Sequence, residues 1–390
     1  MTINLNRRHF LSASALAAGF ASLPASLRAA QTGPLAWGPV RKTMQGFIDS
    51  KYVPGTVAAI GRGTQAPDFL STGALAFDNP APVAEDSLFR AYSMTKPITG
   101  IAAMMLIEDG KLKLDQNIAD FLPGFANPRV LTDPEKSLGA RAAAGPITIR
   151  NLLSHRSGLP NYVHFVEKLG WDTHNFVTNA DILQLLIDNA DKLKPGRANA
   201  YFDYCNTNYA LLALIVEKVS QISFSDYLNK VFFKPLGMNN SFVFSIDMVE
   251  TVLPSYKFNN QREPLMFLDA IYGDKNIYST PRDMMKWDFA LSKDQLFAEK
   301  TLEEAFKGYS YERRGTRNYG LGWRLVEMPT GKKIIYHNGW WHGNNTVFSR
   351  LPDDSTAIIV LGNKFNRSIY QAKKIAAIFK GYGIQSDDDE

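Results

Sequence analysis

The distribution of strand and helix patterns along the chain is the feature that most restricts its fold. Residues 111–265 carry mainly helical spacing. Runs typical of strands lie on either side of this stretch, at residues 56–60, 69–77, 322–328, 333–336, 345–351 and 356–361. Strands from both ends of the chain are therefore expected to share one sheet. This predicts an α+β protein in which an antiparallel sheet is flanked by helices and a mainly helical domain is inserted.

The same pattern predicts where the domains divide. A chain of 390 residues is long enough for two domains. The sheet domain is expected to be discontinuous, with residues 31–110 and 266–385, and the helical domain to comprise residues 111–265. A closing helix is expected at 368–380, and residues 386–390 form a short acidic tail. A cleft where the two domains meet is the natural place for a site.

The first 30 residues have the features of an export signal. Arg7 and Arg8 form a twin-arginine pair, a small and mildly apolar run follows at 12–23, and small residues near Ala30 are suited to cleavage. A membrane anchor is the alternative, but the apolar run is shorter than the ~20 residues that span a bilayer. We therefore predict a signal peptide at residues 1–30 that is cleaved near Ala30. It would send the protein to the periplasm by the twin-arginine route, without a membrane anchor.

Charge and cysteine content argue against several other classes of function. The chain has 43 Lys and Arg against 38 Asp and Glu, a net charge of +5. Residues 1–30 hold three arginines and no acid, so the mature chain has 40 basic against 38 acidic residues, a net charge of +2. Without a basic cluster among aromatic residues, nucleic-acid binding is not expected. The single Cys205 excludes an intrachain disulfide, and the histidines lack zinc-type spacing, so no metal or other cofactor is predicted.

The stretch Ser-Met-Thr-Lys at residues 93–96 carries the first chemical signal. An apolar run at 98–107 follows it, which predicts a helix with Ser93 and Lys96 one turn apart at its N-terminal end. This spacing places an amine within reach of a hydroxyl nucleophile, and the helix N-terminus favours a neutral amine and a developing oxyanion. Ser-x-x-Lys also occurs in ordinary solvated helices. The motifs that follow therefore decide its meaning.

Two further motifs follow in the chain. The second reads Tyr-Cys-Asn at residues 204–206 and precedes a strongly apolar helix expected at 207–219. The third reads His-Asn-Gly at residues 337–339, at the end of a predicted strand, and Trp340 and Trp341 come directly after it.

In this order, the three motifs resemble those of the serine β-lactamase and penicillin-binding protein superfamily. The similarity is closest to its class C-like branch, which includes D-alanyl-D-alanine carboxypeptidases and family VIII esterases. Further strings along most of the mature chain are similar to this branch, at residues 152–159, 195–196, 235–238, 278–280 and 319–323. The resemblance implies a β-lactamase/transpeptidase-like fold, which agrees with the sheet and the helical domain predicted from the patterns.

The resemblance also implies a role for each motif residue. Ser93 would be the acylated nucleophile, and Lys96 would accept its proton. Tyr204 would share the proton transfers and serve the leaving group, and Asn206 would hydrogen-bond a substrate carbonyl or Lys96. The backbone N–H groups of Ser93 and Trp340 would form the oxyanion hole, in which each donor can supply about 3 kcal/mol.

Around the third motif, His337, Gly339, Trp340 and Trp341 are expected to contact the substrate. Gly339 lets an edge strand pass close to a ligand, and Trp341 is expected to line the cleft. His337 stands where many penicillin-recognising relatives have lysine, and an imidazole with a pKa near 6.5 is mostly neutral at pH 7. This departure favours esters or less anionic amides. Lys275 replaces part of a Gly-rich string of this branch, and is interpreted as either another cation near the cleft or a solvated loop residue.

These residues predict an exported serine hydrolase that cleaves a carboxylic ester or amide, in a small molecule or short peptide, through an acyl-enzyme on Ser93. A D-alanyl-D-alanine carboxypeptidase or a β-lactamase is the alternative with the same chemistry. The alternative from another class is a binder of cell-wall fragments without catalysis. Ser93, Lys96 and Tyr204 argue against the binder, which has no need of all three. The sequence leaves the acyl group, the leaving group and the oligomeric state open.

Overall fold

A computed structural model describes most of the chain. The described residues are 37–50, 53–63, 65–124, 146–193, 196–292, 298–313, 317–341, 343–364, 376–377, 379 and 381–382. The predicted signal peptide at 1–30 and acidic tail at 386–390 lie outside them, as does most of the helix expected at 368–380. Across the described ranges, no helix is both long and apolar enough to cross a bilayer.

Strands from both ends of the chain do share one sheet. The strands of the described residues are β1 (Gly55–Arg62), β2 (Asp68–Ala76), β3 (Asn79–Pro82), β4 (Phe89–Arg90), β5 (Phe242–Val243), β6 (Ser255–Tyr256), β7 (Arg262–Glu263), β8 (Ile277–Ser279), β9 (Ser310–Arg313), β10 (Arg317–Tyr319), β11 (Arg324–Glu327), β12 (Lys333–Trp341), β13 (Asn344–Leu351) and β14 (Thr356–Gly362). In this part of the chain the main sheet has nine strands, in the order β3-β2-β1-β14-β13-β12-β11-β10-β9. Their pairings are antiparallel, and β1 pairs with β14 from Thr56 opposite Gly362 to Arg62 opposite Thr356.

Helices cover this sheet and fill the middle of the chain. The described α-helices are α1 (Trp37–Asp49), α2 (Thr95–Glu108), α3 (Ile149–Leu153), α4 (Tyr162–Phe165), α5 (Asn179–Asp188), α6 (Ala190–Leu193), α7 (Asn206–Ser220), α8 (Phe224–Leu228), α9 (Pro281–Leu291) and α10 (Glu299–Ala305). The predicted α+β class, with an antiparallel sheet flanked by helices, is confirmed. The domain boundaries after residues 110 and 265 stay a prediction.

The side chains of strand β1 alternate between two separate hydrophobic cores. Val57 and Ala59 belong to a large core that also contains side chains of α2, α7 and α9. Ala58 and Ile60 belong to a smaller core on the opposite face, together with Met44 of α1. A strand that is apolar on both faces in this way must be covered on both sides, because successive side chains point to opposite faces of a sheet.

A small second sheet fixes the entry to helix α2. Strand β4 pairs with β8, and the contact continues past β4 because the Ala91 N–H donates to the Ile277 carbonyl oxygen at 2.8 Å. The Ile277 N–H donates in turn to Thr95 Oγ1 at 3.2 Å. A 3-10 turn, Tyr92–Met94, lies between these two contacts and leads into α2. The turn that carries the first motif is therefore anchored at both ends.

Strand β12 passes so close to this turn that residue 339 has no space for a side chain. A Cβ atom on Gly339 would lie 2.3 Å from the Ala91 carbonyl oxygen and 2.1 Å from Thr346 Oγ1. The Thr346 hydroxyl donates to the same Ala91 carbonyl at 3.0 Å. This close approach sets the third motif against the turn that holds the first.

Gly339→Ala is expected to lower the free energy of unfolding by about 1–3 kcal/mol, because the added methyl must push β12 away from a backbone carbonyl. Urea denaturation measures the change. Gly46→Ala in α1 is the matched control, since a Cβ there meets no atom within 4 Å and alanine favours a helix. A Gly339→Ala protein as stable as the wild type would contradict the tight contact.

Candidate active site

Ser93 sits in the middle of the 3-10 turn, on a backbone held by its neighbours. Tyr92, directly before it, has a φ of 48°, a left-handed conformation that a bulky residue adopts only when its surroundings impose it. The buried Tyr92 hydroxyl accepts a hydrogen bond from Asn344 Nδ2 at 2.6 Å. The Arg90 guanidinium lies 4.7 Å from the centre of the same ring. These contacts fix the backbone of the partly exposed Ser93.

Lys96 is fully buried in the first turn of α2. Its Nζ donates to Ser93 Oγ at 3.0 Å and to the backbone carbonyl oxygen of Asp274 at 3.1 Å. The Ser-x-x-Lys spacing thus brings the amine and the hydroxyl into direct contact, which is the geometry that proton transfer between them requires. The Asp274 carbonyl holds the amine from the other side.

Tyr204 precedes helix α7, and two basic side chains approach its ring. Lys96 Nζ and the Arg324 guanidinium are each 4.9 Å from the centre of the Tyr204 ring. The ring of His155 packs against it at 4.4 Å, and His155 Nδ1 accepts a hydrogen bond from the Cys205 N–H at 3.1 Å. Cation–π contacts and ring packing therefore hold the phenol beside Lys96. His155 therefore helps to fix the position of Tyr204.

Both buried histidines of the site are neutral near pH 7. Burial holds the pKa of His155 well below its usual value of 6.5, and the charge of Lys96 lowers that pKa further. Burial also holds the pKa of His337 well below 6.5, with further lowering by Arg324 and Lys96. Two fixed cations thus oppose the protonation of either imidazole, because a like charge nearby disfavours another positive charge.

Both ring nitrogens of His337 form hydrogen bonds within the protein. Its Nδ1–H donates to the Asn338 carbonyl oxygen at 2.8 Å, and its Nε2 accepts from the Tyr319 hydroxyl at 3.1 Å. The side chain has no exposed surface. The expectation that His337 titrates near pH 6.5 is therefore corrected, because that value applies to a solvated imidazole. In this environment His337 fastens β12 to Tyr319 rather than offering a charge to the cleft.

Arg324 is the cation of the site that the sequence reasoning missed. It begins strand β11, opposite Tyr319 of β10 and Tyr336 of β12, and its side chain is partly exposed. The available signal was an arginine directly before the apolar pair of Leu325 and Val326 in a predicted strand. That pattern alone does not show that the guanidinium reaches a tyrosine about 120 residues earlier in the chain.

The end of strand β12 carries the other predicted substrate contacts. The pairing of β11 with β12 stops at Tyr336, whereas that of β13 continues to Trp341. Gly339, Trp340 and Trp341 therefore lie beyond the β11 ladder. The Trp340 side chain is 54% exposed, and Trp341 is partly buried, with its Nε1 donating to Asp269 Oδ1 at 3.2 Å.

Asn206 opens helix α7, two residues after Tyr204, and is partly exposed. Among the described residues, Lys96 makes its hydrogen bonds to Ser93 and Asp274 and not to Asn206. A substrate carbonyl thus stays the predicted partner of this amide.

Lys275 is 3% exposed, so its interpretation as a solvated loop residue is wrong. The described ranges contain no group of three or more His, Cys, Asp or Glu that could hold a metal.

Comparisons with known proteins agree with the three motifs. The Beta-lactamase family model matches residues 40–381. Penicillin-binding protein 4* of Bacillus subtilis is 30% identical over 74% of this chain, which spans 64% of that relative's length. The crystal structure of a penicillin-binding protein from Bacillus halodurans matches with a TM-score of 0.70 and 24% identity, over 86% of this chain and 99% of that one. D-amino acid amidase from Ochrobactrum anthropi matches with a TM-score of 0.66 and 22% identity, over 83% and 92%.

These likenesses confirm the β-lactamase/transpeptidase-like fold that the sequence predicted. The matched range contains all three motifs, from Ser93 to Gly339. It also covers most of the chain, with residues from both ends of the main sheet. The chain therefore belongs to the β-lactamase family of enzymes of the serine hydrolase type.

Proposed function

We propose that the protein hydrolyses a carboxylic ester or amide through an acyl-enzyme on Ser93. The observation that carries this proposal is the 3.0 Å contact between Lys96 Nζ and Ser93 Oγ, made by a fully buried amine beside a partly exposed hydroxyl. A binding protein gains nothing from such a contact. A nucleophile needs a base within hydrogen-bond reach.

The proposed reaction begins when the Ser93 hydroxyl oxygen attacks the acyl carbon. The ammonium of Lys96 first gives up a proton to solvent, and the resulting amine takes the hydroxyl proton through its lone pair, while one of its N–H groups stays on the Asp274 carbonyl. The oxyanion of the tetrahedral intermediate is stabilised by the backbone N–H groups of Ser93 and Trp340. Collapse breaks the bond to the alcohol or amine, which leaves with a proton from Tyr204 or Lys96. Water then attacks the acyl carbon and gives a proton to the same unit. Collapse breaks the bond to Ser93 Oγ, which takes up that proton, and the acid is released.

Arg324 favours one alternative substrate class over the neutral esters. Arg324 is a partly exposed residue, and its guanidinium lies beside Tyr204, close to where a leaving group would depart. An arginine there can pair with a carboxylate, as a peptide C-terminus or a β-lactam would supply. A D-alanyl-D-alanine carboxypeptidase or β-lactamase is therefore the second candidate function, and it depends on Arg324 rather than on His337.

Incubation with a neutral aryl phosphonate ester is expected to modify Ser93 and no other serine, because Ser93 has the buried amine as its base. Intact mass and peptide mapping locate the adduct. Ser93→Ala should lose both the adduct and at least 10³-fold in kcat/KM for a short-chain nitrophenyl ester, as removal of a catalytic nucleophile does. Ser225→Ala, at an exposed serine of helix α8 outside the motifs, is the control. An adduct on another serine would refute the mechanism.

A preference of the cleft for carboxylate-bearing or for neutral substrates distinguishes the two proposed substrate classes. The ratio of kcat/KM for a carboxylate-bearing ester to that for its neutral analogue should stay flat from pH 5.5 to 7.5, because burial and the nearby Arg324 and Lys96 hold the pKa of His337 well below 6.5. Arg324→Gln should lower the ratio about 5-fold, equivalent to ~1 kcal/mol for a partly solvated ion pair. Arg282→Gln, at a surface ion pair with Glu85, is the control. A ratio that rises below pH 6.5 would restore the charge-reading role of His337.

We also propose that the protein reaches the periplasm through the twin-arginine exporter, on the strength of Arg7 and Arg8 and the small-residue run behind them. Replacing both arginines by lysine keeps the charge and should leave the precursor in the cytoplasm. Fractionation and immunoblotting measure the distribution. Normal periplasmic yield from the double variant would reject this route.

A further inference from the structure

A buried turn at residues 274–275 lies directly behind the proposed catalytic amine. Asp274 is 2% exposed and Lys275 is 3% exposed. The Asp274 backbone carbonyl accepts from Lys96, so this turn contacts the catalytic unit through its main chain. Its side chains point into a second polar cluster, which neither the proposed chemistry nor the family motifs use.

Lys275 is enclosed by groups from separate parts of the chain. Its ammonium donates to the Tyr162 hydroxyl, which donates to Asp274 Oδ2 at 2.6 Å, and the ammonium itself lies 3.6 Å from that carboxylate oxygen. The aromatic rings of Tyr162 and Trp341 lie 4.8 and 5.2 Å from the ammonium. Asp274 Oδ1 has no hydrogen-bond partner among the described residues. The charge of Lys275 is therefore what compensates this buried carboxylate.

The cluster reaches the oxyanion side of the cleft through a second carboxylate. Asp269 Oδ1 accepts from Trp341 Nε1 at 3.2 Å and pairs with Arg90 Nη2 at 2.8 Å. Arg90 lies three residues before Ser93, and Trp341 directly follows Trp340. One buried network therefore contacts the nucleophile's turn, the catalytic amine and the strand that carries the proposed oxyanion donor.

We propose that Lys275 is a positioning residue for acyl transfer. Its charge holds the 274–275 turn so that the Asp274 carbonyl stays on Lys96 while Trp341 keeps the end of β12 in register with Ser93. The proposal rests on the proposed function, since it concerns the rate at which Ser93 is acylated. Without the charge of Lys275, the buried Asp274 carboxylate has no compensating cation. Either the 274–275 turn then moves, or the Asp274 carboxyl takes up a proton.

The positive charge of Lys275, on which its positioning role depends, is lost at mildly alkaline pH. Burial lowers the pKa of Lys275 to about 8, with Arg90 and Lys96 lowering it and Asp274 and Asp269 raising it. Since this pKa is depressed from 10.5, the ammonium is present below pH 8 and disappears as the pH rises through that value. The pKa of Tyr162 stays well above 10 because of burial and Asp274, so this phenol does not titrate in the same range.

The test is the second-order rate of Ser93 modification by the neutral phosphonate, measured from pH 6 to 10. Lys275→Met keeps the side-chain length and removes the charge, and Lys275→Arg keeps the charge at every pH tested. Lys332→Met, which removes an ion-paired lysine at the far end of β12, is the matched control. Taking the ratio of wild-type to variant rate cancels the titration of groups that the proteins share.

The ratio of wild type to Lys275→Met should be on the order of 10- to 100-fold below pH 7, as for a misplaced catalytic group, and should fall towards 1 above pH 9. The ratio of Lys275→Arg to wild type should rise through pH 8, so the test stands even where the methionine variant fails to fold. Ratios that do not change with pH, while Ser93 is modified in the wild type, overturn the role of Lys275 alone. Absence of modification at Ser93 overturns the proposed function, and the role of Lys275 with it.

Discussion

The hydrogen bond from the buried amine of Lys96 to Ser93 Oγ is the contact on which the rest of the site depends. An ammonium without access to water must find its partners in the protein, because burying an unpaired charge is costly. The Asp274 carbonyl and the rings of Tyr204 and Tyr209 surround Lys96. The fold supplies these groups from two separate stretches of the chain, at residues 204–209 and at residue 274. Ser93 is thus held beside its base by the packing of the whole interior, and not by the helix α2 alone.

The same buried charge decides the protonation of its neighbours. His155 and His337 are kept neutral by burial and by the two cations, Lys96 and Arg324, that flank Tyr204. The neutral His337 accepts from the Tyr319 hydroxyl and so links strand β12 to Tyr319. The site therefore confines its positive charge to the groups that face Tyr204 and to the network around Lys275. A developing oxyanion in the cleft is stabilised by that charge without reorganisation.

The sequence predicts this site where its information is local, and fails where it depends on distant residues. Ser93 and Lys96 are three positions apart at the start of one helix, so their contact follows from helical spacing. The position of Tyr204 directly before an apolar helix can likewise be read from the local sequence. The burial of Lys275 was not, because its partners Tyr162 and Trp341 come from other elements.

The fold shows the same division. Long strands such as β1 and β13 have clear patterns, and the sheet built from both ends follows from them. The two-residue strands β4 and β5 are too short to show a period of two, although β4 anchors the turn of Ser93 through β8. Helix α9 was not predicted, yet it packs in the large core beside β1. Tertiary packing, which no local window contains, specifies such elements.

The central claim is that Lys96 and Tyr204 act on Ser93 as one proton-transfer unit. The most direct measurement is the single-turnover acylation rate with a chromogenic ester in the wild type, Lys96→Met, Tyr204→Phe and the double variant. Residues that act as a unit are non-additive, so the double variant should acylate little more slowly than the slower single variant. Losses that multiply in the double variant would show that the two side chains act independently, and would contradict this account.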